Sequence, residues 1–183
     1  MKSLCVFCGS RAGSHPEFVE LARACGKALA DRGVALVYGG GRVGLMGAIA
    51  DAALESGGTV IGVIPQMLLD REVGHPGLSQ LHVVKSLAER KLRMAELSDG
   101  FVALPGGLGT LDELSEMWTW TQLNLHQKPC ALLNTGGYYD ALIDFLNHAT
   151  HEGFVSPRDL EQLLVFEEFD ALLDAFGASS LPT

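Results

Sequence analysis

The sequence predicts an α/β fold, a doubly wound and Rossmann-like parallel sheet forming a single domain over residues 1–183. Three observations predict it. Short apolar runs alternate along the chain with segments whose apolar residues recur at helical spacing, the pattern of repeated strand-helix units. The runs are continuously apolar instead of alternating with polar residues, as strands buried on both faces are. Many end in glycine-rich turns, and the chain holds 22 glycines in 183 residues, which suits tight strand-to-helix connections.

Residues 2–8 form the first apolar run and stop at Gly9-Ser10-Arg11. A helix follows, with Phe18, Leu21, Ala22, Cys25 and Leu29 on one face, Pro16 in its first turn and Gly33 at its stop. Residues 34–38 predict a second strand, closed by Gly39-Gly40-Gly41-Arg42-Val43-Gly44-Leu45-Met46-Gly47, and a helix then runs to about residue 55. This turn contains the Gly-x-Gly-x-x-Gly pattern of dinucleotide-binding folds. It follows the second strand and not the first, however, and the next strand (59–65) ends in Pro65-Gln66 without a carboxylate for a ribose hydroxyl. NAD is therefore disfavoured. Three successive glycines beside Arg42 still point to close approach of a ligand, with Gly40 and Gly41 as contacts, against the alternative that some glycines serve packing alone.

Residues 66–80 break the pattern, with Asp70, Arg71, Glu72, Gly74, His75, Pro76 and Gly77 in one irregular segment. It reads as a lid or as a surface excursion. After a strand at 81–85, Ser86-x-x-Glu89 is a capping box opening a helix with Leu87, Met94 and Leu97 as its buried stripe. Arg90 falls in that helix's first turn. A cation there opposes the helix dipole by about 0.3–1 kcal/mol, which points to an anion partner. Lys91 beside it is a second binding candidate, although a solvated charge explains it as well. Residues 101–105 predict a strand whose helix runs to about 124. Trp118 and Trp120, two positions apart and roughly opposite on that helix, predict that one of them meets a partner subunit. A strand at 130–134, a helix at 139–151, a strand at 163–166 and a helix at 169–176 complete the alternation, with 177–183 as a frayed tail.

The formal net charge of -9 argues against nucleic-acid polymers, whose binding needs a basic footprint. The four cysteines, Cys5, Cys8, Cys25 and Cys130, sit in apolar surroundings and read as buried thiols of a reducing compartment. Cys5-x-x-Cys8 lies within a strand pattern without a second pair, so a zinc or redox site is not expected. The histidines offer no convincing ligand set, and no metal is expected. The first apolar run is too short for a signal peptide and no stretch approaches membrane-spanning length. The expectation is a soluble cytoplasmic protein.

The chain's most distinctive stretch is Leu104-Pro105-Gly106-Gly107-Leu108-Gly109-Thr110-Leu111-Asp112-Glu113. It reads as an anion cradle, because backbone N–H groups at glycines approach a phosphate closely and a helix start adds its partial positive charge. Glu113 then stands one turn into the helix as a catalytic acid. A second reading is equally open locally: Thr110-x-x-Glu113 is also a capping box, in which Glu113 serves only backbone donors. In an open α/β sheet the site lies along the carboxyl ends of the strands, where the turns after Cys8, Tyr38 and Leu104 would converge.

Taken together, Pro105-Gly106-Gly107-Leu108-Gly109-Thr110-x-x-Glu113, Glu89-Arg90-Lys91-x-x-Met94, Cys5-Val6-Phe7-Cys8-Gly9-Ser10 and Tyr38-Gly39-Gly40-Gly41-x-x-Gly44-Leu45-Met46-Gly47 resemble the LONELY GUY (LOG) family. These are cytokinin-activating phosphoribohydrolases, many once labelled lysine decarboxylases. The resemblance extends to about Phe154. It implies hydrolysis of the N-glycosidic bond of a cytokinin riboside 5′-monophosphate or AMP, with Arg90 and Glu113 as the catalytic pair. It also implies phosphate held by Gly106, Gly107, Leu108, Gly109 and Thr110, further contacts from Gly9, Ser10 and Glu72, no cofactor and a homodimer. Asp112 stands where plant members often carry glutamate. Two alternatives stay open: a non-catalytic nucleotide or molybdenum-cofactor carrier of the same fold, and a pyridoxal-phosphate decarboxylase, for which no lysine has a persuasive context.

Overall fold

The computed structural model describes residues 1–71 and 74–178. Seven strands form one sheet in the order β4-β3-β2-β1-β5-β6-β7, every neighbouring pair parallel. The strands are β1 (Ser3–Phe7), β2 (Ala35–Tyr38), β3 (Val60–Pro65), β4 (Gln80–Val84), β5 (Phe101–Ala103), β6 (Cys130–Leu133) and β7 (Leu163–Phe166). The helices are α1 (Glu17–Asp31), α2 (Gly44–Glu55), α3 (Gln66–Leu69), α4 (Leu87–Glu96), α5 (Leu108–Gln122), α6 (Asp140–His151), α7 (Pro157–Glu161) and α8 (Phe169–Ala178). The doubly wound parallel sheet expected from the alternation is the observed fold.

The inner strands present alternate residues to two cores. One face of the sheet, with Leu4, Val6, Leu36, Tyr38, Val102 and Leu104, packs against α1, α2 and α8. The other, with Cys5, Phe7, Val37, Phe101 and Ala103, packs against α4, α5 and α6. The four cysteine thiols are free and buried. Strand order reverses between β2-β1 and β1-β5, so the turns leaving β1 and β5 are side by side. The Gly9 N–H donates to the Pro105 carbonyl at 3.1 Å. A parallel sheet opens its ligand crevice at such a switch point.

Several local expectations differ from the structure. Helix α5 starts at Leu108, with Gly107 as its N-cap and no side-chain cap bond. Thr110 is therefore inside the first turn and buried, and Glu113 closes no capping box with it. The box at Ser86 does form: the Ser86 hydroxyl accepts from the Glu89 N–H at 3.1 Å, and the Glu89 carboxylate accepts from the Lys85 N–H at 2.8 Å. In α4, Met94 is buried but Leu87 is 53% exposed, because the N1 position precedes the part of the helix that meets the sheet. Helix α7 was not foreseen, although Ser156 caps it by accepting from Asp159 N–H at 3.0 Å and Pro157 occupies its first turn. Helix α8 continues through Gly177 to Ala178, and residues 179–183 of the expected frayed tail lie outside the described residues.

The tryptophans also depart from expectation. Both pack against the same core beside Met117. With about 100° per residue, Trp118 falls to one side of Met117 and Trp120 about 60° to the other, so both reach the core's flanks. The Trp118 indole N–H donates to the Asp159 carbonyl at 2.9 Å, and Trp120 meets His126 edge-on at 6.4 Å between ring centroids. Neither is set aside for a partner subunit by the helix geometry.

Candidate active site

The turns after β1, β2 and β5 wall a cleft of about 990 Å³ at the carboxyl edge of the sheet. Its floor is charged. Arg90, projecting from the first turn of α4, is fixed by three partners. Its Nε donates to the Val63 carbonyl at 3.0 Å, one terminal nitrogen donates to the Gly39 carbonyl at 3.0 Å, and the other lies 3.1 Å from Glu113 Oε1. Glycine at position 39 leaves the guanidinium its place, since a Cβ there would push Arg90 off these partners. Both side chains are largely covered, Arg90 at 12% and Glu113 at 14% exposure. Burial pushes the Glu113 carboxyl above the ordinary carboxylate range, and Asp112 adds to this, while Arg90 and, less strongly, Lys91 oppose it. Burial outweighs the ion pair.

Next to this pair lies the start of α5. The N–H groups of Gly107, Leu108, Gly109 and Thr110 have no hydrogen-bond partner among the described residues, and Leu111 N–H is the first to bond back, to Gly107 O at 3.1 Å. These are the four orphan donors that every helix start leaves, here at the wall of the cleft and without a capping side chain. A Cβ at Gly107 or Gly109 would meet nothing within 4 Å. No internal packing asks for glycine there; the open approach they leave suits an anion. The opposite wall is apolar, with Val43, Leu45, Met46, Ile64 and Leu68.

A family model described as "Possible lysine decarboxylase" matches residues 46–176. A cytokinin riboside 5′-monophosphate phosphoribohydrolase of Rhodococcoides fascians is 47% identical over 175 residues, covering 95% of this chain and 88% of that protein. The Arabidopsis thaliana enzyme of the same description called LOG7 is 47% identical over 156 residues, covering 85% of this chain and 72% of its own length. The chain belongs to the LOG family. The resemblance read from its glycine-rich motifs thus holds over nearly the whole chain. Among solved structures, a molybdenum-cofactor binding protein of Rippkaea orientalis superposes with a TM-score of 0.74 at 21% identity, covering 99% of each chain. The molybdenum-cofactor carrier of Chlamydomonas reinhardtii does so at 0.73 and 23%, covering 96% of each. At that identity the likeness extends to the fold alone.

The LOG motifs converge as follows. Arg90, Glu113, Gly9, Ser10, Gly41 and the run from Gly106 to Thr110 all line the cleft. Gly40 and Lys91 do not. Gly40 sits behind the wall with a left-handed φ of +73°, its carbonyl accepting from the His75 N–H at 2.9 Å. Lys91 ties α4 to α5 through Asp112, at 3.0 Å, and Glu116. Glu72 lies outside the described residues; beyond it, Gly74 bridges Gly41 and the His75 ring meets Asp51 at 3.0 Å. No described lysine lines the cleft, so none is placed there for a Schiff base. Sequence reading missed Gly39, which makes room for Arg90, and Tyr138, which lines the cleft from the turn after β6. The signal for Tyr138 was its place just past the carboxyl end of a strand.

Proposed function

We propose that this protein hydrolyses the N-glycosidic bond of a cytokinin riboside 5′-monophosphate, or of AMP, to the free base and ribose 5-phosphate. The observation that carries the reading is the largely covered Arg90–Glu113 pair beside four N–H groups that have no partner among the described residues, in one cleft. The LOG-family membership supplies the substrate class. The 5′-phosphate sits on the N–H groups of Gly107 to Thr110, where the dipole of α5 adds to the attraction. Glu113 lies one turn further on, roughly 5 Å along the helix axis, which sets a carboxylate against the ribose and not the phosphate.

As the glycosidic bond breaks, positive charge builds at the anomeric carbon, and the ionised Glu113 stabilises it and orients the attacking water. The water's hydroxyl goes to that carbon and its proton to the leaving base. Arg90 stays charged and holds Glu113 in place, leaving no role for it as proton donor. Phosphate binding orients the remote bond for attack. The apolar wall from Val43 to Leu68 suits a flat base with an alkyl substituent. Glu72 completes the proposed substrate contacts, and E72Q turnover checks it.

Incubation with N6-isopentenyladenosine monophosphate, AMP and isopentenyladenosine without phosphate tests the reading. Free base is expected from the nucleotides and far less from the riboside; no base from either nucleotide would refute it. A homodimer is also proposed, supported by exposed Leu81 and Val83 on edge strand β4 and Leu87 and Leu92 on the adjoining α4.

A further inference from the structure

Tyr138 and Tyr139, which follow the turn after β6, reach back to the loop that starts α5. The Tyr139 hydroxyl donates to the Leu104 carbonyl at 2.6 Å, and the Tyr138 hydroxyl donates to the Gly106 carbonyl at 2.7 Å. Between them the Pro105 carbonyl accepts from Gly9 N–H at 3.1 Å. Three successive carbonyls are thereby tied down on the protein side. Tyr139 is buried and is itself held by its N–H donating to Asn134 Oδ1 at 2.6 Å. Tyr138 is 41% exposed and lines the cleft, its ring edge-on to Phe18 at 5.5 Å and to Tyr139 at 4.9 Å.

The consequence follows from peptide planarity. In a trans peptide the carbonyl of one residue and the N–H of the next point in opposite directions. Fixing Gly106 O on Tyr138 therefore fixes the Gly107 N–H, the first of the free donors. The flanking residues of this peptide are both glycine, with no Cβ to resist rotation of the peptide plane. Without the tyrosine hydroxyl, the plane can turn and offer an anion a carbonyl oxygen in place of an N–H. The Leu104 carbonyl, by contrast, belongs to a peptide whose nitrogen is proline, so Tyr139 orients no donor.

We infer that Tyr138 is a positioning residue that sets the Gly106–Gly107 peptide for anion binding, whereas Tyr139 braces the strand end. The inference rests on reading the start of α5 as the phosphate site. Calorimetric titration with inorganic phosphate and with ribose 5-phosphate, on wild type, Y138F and Y139F, tests it alongside thermal unfolding without ligand. Loss of one hydrogen bond corresponds to about a threefold to tenfold weaker phosphate affinity in Y138F, with its unfolding midpoint within about 2 °C of wild type. Y139F shows the converse, a lower midpoint with phosphate affinity kept. On nucleotide substrate, Y138F loses kcat/KM by the same factor as its phosphate affinity. Unchanged phosphate affinity in Y138F, parallel losses in both variants, or a wild type that binds no phosphate would each overturn the assignment. Wild type that shows the expected contrast in phosphate binding but releases no base from any nucleotide upholds Tyr138 and overturns only the hydrolase reading.

Discussion

Arg90 divides its guanidinium among Val63 O, Gly39 O and Glu113, so the cation of the central pair is held in place against Glu113. This geometry makes E113Q the cleanest substitution at the site: it keeps the shape and removes the charge. Turnover is expected to fall by about a thousandfold or more, with nucleotide binding retained, in steady-state and direct binding measurements. The pH dependence follows from burial. The ionised carboxylate is the working form, so the rate falls as pH is lowered, and because burial holds this carboxyl above the ordinary range the acid limb lies above that of an exposed glutamate. In R90Q the main opposing cation is gone while burial and Asp112 still raise the carboxyl; the limb is expected to move further up in a pH–rate profile. Both charged residues were legible in the sequence, Arg90 because a cation at a helix start is electrostatically misplaced. What holds Glu113 was not: a local capping box was the alternative at hand, and the partner observed comes from α4, which no local pattern reveals.

At the scale of elements, the start of α5 separates structural from functional glycine. A Cβ at Gly106 would run into the Thr110 side chain, whereas at Gly107 and Gly109 it meets open space. G106A is expected to lower the urea midpoint, through a steric cost of about 1–3 kcal/mol. G109A is expected to leave stability unchanged or raise it by up to about 1 kcal/mol, since alanine is the better helix former, yet to weaken phosphate binding. Equal stability losses in G106A and G109A would remove the argument that the second glycine serves a ligand. The inner strands were legible because a parallel sheet buries both of their faces and so writes continuous apolar runs. Helix starts were less so. Gly107 caps α5 through its backbone alone, which leaves no side-chain signal, and the Ser156-Pro157 signal of α7 is brief beside the longer helices around it.

For the whole molecule, strand order is what assembles the site. Gly9 and Pro105 meet because β1 lies beside β5, and sequence periodicity predicts that the strands exist without predicting which are neighbours. The convergence of the turns after β1, β2 and β5 was readable only through the general rule that ligands gather at the carboxyl edge. The tryptophan pair shows the reverse error: a helix angle taken alone suggested a subunit contact, while the core is broad enough to accept both rings on its flanks. The proposed dimer therefore rests on the apolar edge at β4 and α4, and light scattering is expected to give twice the chain's 19.5 kDa, with a charge at Val83 shifting it toward monomer. No helix among the described residues is long and apolar enough to cross a membrane.

The most direct test of the central claim compares wild type and E113Q for release of free base and ribose 5-phosphate from a cytokinin riboside 5′-monophosphate, at nucleotide concentrations shown to saturate both. The account predicts one base per ribose 5-phosphate from wild type and almost none from E113Q. Comparable turnover by the two proteins would contradict it.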